Sequence, residues 1–162
     1  MADIMTPEQR SRCMAAIKGK NTKPEILVRK FLFAKGMRFR INTKLTGKPD
    51  IVLPKYKTVI FIDGCFWHGH EGCKYFRLPS TNVGFWRNKI ETNAERDKKV
   101  TETLEGEGWR VIRIWECQLK TKTIQSESLA SLYRQIVDEA GEAEYSIAAE
   151  PIAEYGNPNK KQ

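Results

Sequence analysis

The chain has 162 residues, 40% hydrophobic and 30% charged, a balance that excludes wholesale disorder and supplies one domain with a core. Lys and Arg outnumber Asp and Glu by 28 to 20, a formal net charge of +8, which points to a polyanionic partner such as nucleic acid. No apolar run approaches the roughly 20 residues needed to span a bilayer, and the start MADIMTPEQRSRC lacks the apolar core of a signal peptide. The expectation is a cytoplasmic protein that engages no membrane.

In chain order, Thr6-Pro7-Glu8-Gln9 opens a helix with a capping box and runs to about Ile17. Thr22-Lys23-Pro24-Glu25 repeats the start signal, Leu27, Phe31 and Ala34 follow at helical spacing, and Gly36 stops the helix. Met37 to Ile41 alternates apolar and basic residues, the pattern of a half-buried strand. Asp50 to Leu53 and Thr58 to Ile62 read as a hairpin turned at Pro54–Lys57. Gly64 to Pro79 has no period and reads as an ordered loop. Phe85 to about Glu105 is a long polar helix, Trp109 to Trp115 a strand, and Ser128 to Ala140 a final amphipathic helix. The predicted order α-α-β-β-β-loop-α-β-α is that of an α/β domain with a mixed central sheet flanked by helices. Residues 1–20 read as a basic arm, 21–140 as the main domain, and 141–162 as a loosely held tail.

Four cysteines in a cytosolic chain argue against structural disulfides. Cys13 stands apart and reads as a small apolar residue. Cys65, His70 and Cys73 lie in a loop that holds both histidines of the chain, and Cys117 follows a later strand. Thiolate and imidazole are the usual zinc ligands, and a structural site takes four in a tetrahedron. The alternative is a group of buried cysteines beside a satisfied histidine. A loop of this length needs something to order it, which favours the ion.

In the hairpin, Asp50 and Asp63 fall at the ends distant from the turn and share one edge. Two converging carboxylates repel each other unless a cation intervenes, and carboxylate oxygens suit Mg²⁺. Zinc needs only one histidine, which leaves His68 as a general base five residues beyond Asp63. Ordinary strand-end aspartates are the competing explanation.

PDIVLP, VIFIDGCFWHGHEGC, FWRNKIETNAERD and GWRVIRIWEC together resemble the very short patch repair mismatch endonucleases, in order from about Thr6 to Leu119. The resemblance implies a fold similar to type II restriction endonucleases, with a structural zinc at Cys65, His70, Cys73 and Cys117. It implies Mg²⁺-dependent hydrolysis of one strand 5′ to the thymine of a T·G mismatch, the product of 5-methylcytosine deamination. Carried over by position, Asp50 is the principal Mg²⁺ ligand and Ile62 offers its main-chain carbonyl to the same ion. His68 is the base, Glu25 joins the site through water, and Asp97 supports it from behind. Some relatives have an imidazole at the position of Asp63, so its role stays open between metal ligand and water positioner. A cytosine-5 methyltransferase as functional companion, MutL as helper and a monomeric state follow from the same resemblance.

Phe66 and Trp67, between Cys65 and His68, and Trp86, with Lys89 and Asn93 at i+3 and i+7, are the expected mismatch readers. Aromatic wedges can unstack a base step, while Lys suits guanine acceptors and Asn suits adenine. Arg10, Arg12, Lys18, Lys20 and Lys23 would grip phosphates. Two other functions remain: a restriction-type nuclease that cuts both strands, and a zinc-organised DNA-binding module without catalysis.

Overall fold

The computed structural model describes residues 5–17 and 19–148, residues 139–148 by backbone alone. Strands β1 (Ile51–Leu53) and β2 (Thr58–Asp63) pair antiparallel, with Ile51 opposite Ile60 and Leu53 opposite Thr58. Pro54–Tyr56 forms a short 3₁₀ turn between them, closed by Lys57 at φ 49°. Strand β3 (Arg110–Trp115) lies parallel to β2, with Phe61 opposite Arg113 and Asp63 opposite Trp115, so β2 is central. A parallel pair needs a long crossover, supplied by the loop after β2 and helix α3 (Val83–Gly106).

Alternation along the strands divides the core. Ile51, Leu53, Ile60 and Ile114 pack with Val28 and Leu32 of helix α2 (Lys23–Ala34) and with Leu129, Leu132 and Ile136 of helix α4 (Lys122–Ala148). Val52, Val59 and Phe61 pack with Leu104 of α3 on the opposite face. The sheet is therefore sandwiched between α2 and α4 on one side and α3 on the other. Helix α1 (Pro7–Ala16) has the expected Thr6–Gln9 capping box but buries no residue. None of the helices is long and apolar enough to cross a membrane among the described residues.

Three expectations need correction. Met37 to Ile41 is not a strand. Met37 is buried, but only Arg40 reaches β1, exchanging two hydrogen bonds with Val52 of 2.8 and 2.9 Å. A three-residue β1 offers little edge, and Asn42 at φ 54° turns the chain away. Thr22 occupies the N-cap of α2 but makes no capping bond; its hydroxyl donates instead to Glu25 Oε1 at 3.0 Å. The final helix starts at Lys122 rather than Ser128, with the Ile124 N–H on Thr121 Oγ1 at 3.4 Å, and runs past Gly141 to Ala148. An interior glycine costs only about 1 kcal/mol, too little to stop a helix anchored by Leu129, Leu132 and Ile136. Lys18 and the end of the expected tail, residues 149–162, lie outside the described residues.

Candidate active site and metal centre

A cleft of about 620 Å³ opens where the end of β2 meets the first turn of α2 and the middle of α3. Glu25, Asp50, Ile62, Asp63, His68 and Asp97 all line it, so residues spread over the sequence converge as expected. Asp50 extends the hairpin by one step: its N–H donates to the Ile60 carbonyl at 3.1 Å. Asp50 Oδ2 accepts the Ile62 N–H at 2.7 Å, so Ile62 meets Asp50 through its amide. Burial pushes the Asp50 carboxyl up to about 6 against the Ile62 hydrogen bond, and the Glu25 and Asp63 carboxylates add to the rise. A carboxylate whose charge is held at a cost in a cleft is a good cation ligand.

Glu25 is 4% exposed. It accepts the Asn21 N–H at 2.8 Å and the Arg29 Nη2–H at 3.1 Å, besides the Thr22 hydroxyl. Asp63, 3% exposed, is paired with Arg113, whose Nη1 donates to Asp63 Oδ2 at 2.9 Å. The cation that offsets this carboxylate is thus a guanidinium from β3. His68 sits between two carboxylates. Its Nδ1 lies 2.5 Å from Asp97 Oδ2 and its Nε2 lies 3.8 Å from Asp63 Oδ1. An ionised carboxylate only accepts, so Nδ1 carries the proton and Nε2 is the basic nitrogen. At 3.8 Å Nε2 is beyond hydrogen-bond range of Asp63 and stays available.

On the other side of this loop, Cys65, His70, Cys73 and Cys117 bring their ligand atoms within 4.8 Å of one another. Zinc bonds of about 2.0–2.3 Å in a tetrahedron need ligand atoms about 3.3–3.8 Å apart, and Cys117 Sγ already lies 3.5 Å from His70 Nδ1. The set fits a metal such as zinc. Gly69 and Gly72 make the wrap possible at φ 64° and 71°, and a Cβ on Gly69 would come within 2.7 Å of Ile90. Trp115 stacks on the His70 ring at 4.1 Å and 3°, which fixes its direction. Burial, and then the neighbouring Cys65 and Cys73, push the Cys117 thiol up to about 12. The Tyr75 main chain holds the Cys73 thiol below its usual range. Crowded thiols of this kind ionise together only around a cation.

Phe66, Trp67 and Trp86 gather in one cluster. All three are half-buried and meet edge to face, Phe66 at 5.2 Å from Trp67 and 5.5 Å from Trp86. Phe85, which sequence reasoning missed, extends the cluster at 5.3 Å from Trp86 and is 61% exposed. Lys89 is exposed, its ammonium 6.0 Å from the Phe85 ring. Asn93 Nδ2 donates to the Trp67 carbonyl at 2.9 Å, so its amide braces the aromatic loop. Arg29 and Arg113 were also missed. The available signal for Arg113 was an arginine inside an otherwise apolar strand segment, Val111 to Trp115.

The family model for "DNA mismatch endonuclease Vsr" matches residues 2–74. The type II nicking enzyme V.NmeAIP of Neisseria meningitidis is 54% identical over 139 residues, 85% of this chain and 99% of the relative. V.XorIIP of Xanthomonas oryzae pv. oryzae, also a type II nicking enzyme, is 46% identical over 120 residues, 74% of this chain and 88% of the relative. The DNA mismatch endonuclease Vsr of Escherichia coli is 41% identical over 121 residues, 74% of this chain and 77% of the relative. At this identity and coverage the chain belongs to the Vsr family and is a DNA endonuclease.

Proposed function

We propose that this endonuclease nicks one strand of duplex DNA 5′ to the thymine of a T·G mismatch, on a frame like that of type II restriction endonucleases. The observation that carries the catalytic reading is the His68 imidazole, oriented by Asp97 and left with a free Nε2 in the same cleft as Asp50. Asp50, with the Ile62 carbonyl, would hold Mg²⁺. An ion held there would supply charge neutralisation for the scissile phosphate and Lewis acidity toward the attacking water. His68 Nε2 takes the proton of the attacking water, while Asp97 steadies the imidazolium that results. Asp63 faces that nitrogen and acts as water positioner, its charge offset by Arg113. Glu25, offset by Arg29, orders water on the α2 side.

Support for nicking comes from relatives named as nicking enzymes, and support for mismatch recognition from the relative named a mismatch endonuclease. The half-buried aromatic cluster beside the cleft supplies the means. A T·G wobble stacks less well than a Watson–Crick pair and opens more cheaply, and Phe66, Trp67 and Trp86 stack into the opened step. Lys89 reads guanine acceptors beside it, and Asn93 holds the Trp67 main chain. Helix α1, which buries nothing, lies along the backbone with Arg10 and Arg12 on phosphates, continued by Lys20 and Lys23. The enzyme acts as a monomer, with MutL as helper and a cytosine-5 methyltransferase as the source of its lesions. The test is a T·G duplex with each strand end-labelled in turn, with and without Mg²⁺, beside its T·A counterpart. One cut in the thymine strand, only with Mg²⁺ and only in the mismatch, is the expected outcome. Cleavage of both strands, or of T·A at the same rate, rejects the proposal.

A further inference from the structure

Arg113 stands in β3 opposite Phe61, on the sheet face that carries Asp63 and looks onto α3. Its guanidinium lies 4.4 Å from the centre of the Phe61 ring. Nη1 donates to Asp63 Oδ2 at 2.9 Å, and Nη2 donates to the Asp97 main-chain carbonyl and to Thr101 Oγ1, both at 3.1 Å. The Thr101 hydroxyl donates to that same carbonyl at 2.9 Å. Asp63 and Asp97 are the two residues whose carboxylates face the two nitrogens of His68. One planar fork therefore fastens both sides of the imidazole's slot, one on β2 and the other on α3.

We infer that Arg113 is a positioning residue for strand cleavage, acting through Asp63 and the Asp97 backbone to hold His68 in its productive direction. The inference rests on the reading of His68 as base. Two features of the site favour it. The Asp63 side chain is 5% exposed, and a buried carboxylate stays ionised only beside a cation with good geometry. The spacing between strand and helix is bridged by donors of a single rigid group, which a lysine ammonium cannot reproduce because it lacks the planar fork. Small displacements of a catalytic group are costly: about 1 Å can cost about 10²-fold in rate.

The experiment measures single-turnover nicking of a T·G duplex with Mg²⁺ and, separately, affinity for that duplex without Mg²⁺. It uses the full chain as wild type, Arg113→Met, Arg113→Lys, Asp63→Asn, Asp63→Asn with Arg113→Met, and His68→Ala, each checked for zinc content and thermal unfolding. Arg113→Met should nick about 10–10²-fold more slowly with affinity within about twofold, and Arg113→Lys should recover part of the rate. In the Asp63→Asn background, Arg113→Met should cost less than it does alone, because both changes break one linkage. Nicking by Arg113→Met within twofold of wild type, or full additivity in the double variant, overturns the inference. A rate loss matched by an equal loss of affinity overturns it too, since that is general distortion. If Arg113→Met does not fold, Arg113→Lys decides, alone and in the Asp63→Asn background: slower nicking at unchanged affinity that shrinks in that background supports the inference, and unchanged nicking or full additivity rejects it. A fast His68→Ala sinks the reading of His68 itself, whereas a slow His68→Ala beside a fast Arg113→Met sinks only the role of Arg113.

Discussion

Two clusters of metal-ligand type sit back to back around one loop, and they balance charge by opposite means. Asp63, His68 and Asp97 form one; Cys65, His70, Cys73 and Cys117 form the other. The first is satisfied from within the protein, because Arg113 pairs with Asp63 and Asp97 is hydrogen-bonded to the His68 imidazole. The second has thiols facing thiols and one imidazole, with Cys117 pushed up to about 12 by burial and its neighbours. A carboxylate site of the first kind is balanced by the protein's own groups, and under the proposed function the neighbouring Asp50 holds the ion used for chemistry. A thiol site of the second kind would be balanced by a bound metal such as zinc, which its ligand set fits. Under the proposed function the two metals have separate jobs, zinc in the fold and Mg²⁺ in the reaction.

The largest effect should come from breaking the thiol cluster. Cys117→Ser removes one of four ligands, and structural zinc contributes on the order of 10 kcal/mol of binding that is also folding energy. The variant should lose several kcal/mol of stability and most of its zinc, read by equilibrium denaturation and metal analysis. Less than about half an equivalent of zinc in the wild-type protein would remove this half of the comparison. In the cleft that the carboxylate cluster shares with Asp50 the losses should be kinetic. Asp50→Ala should end nicking and leave T·G binding, and His68→Ala should slow nicking roughly 10²–10⁴-fold, with melting temperatures near wild type. An Asp50→Ala protein that nicks normally in Mg²⁺ would overturn the assignment.

Acid sharpens the same contrast. In the proposed mechanism Asp50 must ionise to hold Mg²⁺, and its carboxyl is pushed up from 3.8 to about 6. Nicking at limiting Mg²⁺ should fall about tenfold per pH unit below about 6 and recover as Mg²⁺ is raised, because proton and metal compete. Stability without Mg²⁺ runs the other way. A carboxyl raised in the folded state binds its proton more tightly there than in the unfolded chain. Its contribution is full below 3.8 and is lost as pH rises through about 6. Acid-limb activity that ignores Mg²⁺ concentration would contradict this.

Much of this site was legible in the sequence for reasons of chemistry. Cys65, His70, Cys73 and Cys117 are the one constellation of soft ligands, and the Asp50 to Ile62 hairpin follows from two apolar runs around Pro54 and Lys55. What stayed hidden depends on register and on lengths of contact. The pairing of Asp63 with Arg113 needs β3 parallel to β2 in the observed alignment, and neither orientation nor offset can be read from apolar runs. The alternation holds from Met37 to Arg40, with Met37 buried and Arg38 and Arg40 exposed, but lapses at exposed Ile41, and it makes one bridge because β1 ends too soon. The last helix was expected to end at Ala140, yet it continues through Gly141 to Ala148 on a helix held by buried Leu129, Leu132 and Ile136.

Smaller effects belong to DNA contacts away from both clusters. Trp67→Ala and Trp86→Ala should each lose roughly 1–3 kcal/mol of mismatch affinity, the usual value of a base stack, and less on matched duplex. If both fold, keep zinc and hold the wild-type preference for T·G, these rings are not the sensor. Smallest should be removal of the first eighteen or so residues, which should weaken binding and flatten its salt dependence as fewer counterions are released. An unchanged slope would make α1 a solvated helix.

The division of labour between the two clusters is tested most directly by removing one metal at a time and recording far-ultraviolet circular dichroism and T·G nicking together. Withdrawal of Mg²⁺ should abolish nicking with the spectrum and zinc content unchanged, and its return should restore full activity. Withdrawal of zinc should collapse the spectrum, with activity lost beyond recovery by Mg²⁺ alone. Nicking that survives without Mg²⁺, or a zinc-free protein that keeps its fold and its nicking, would contradict the account.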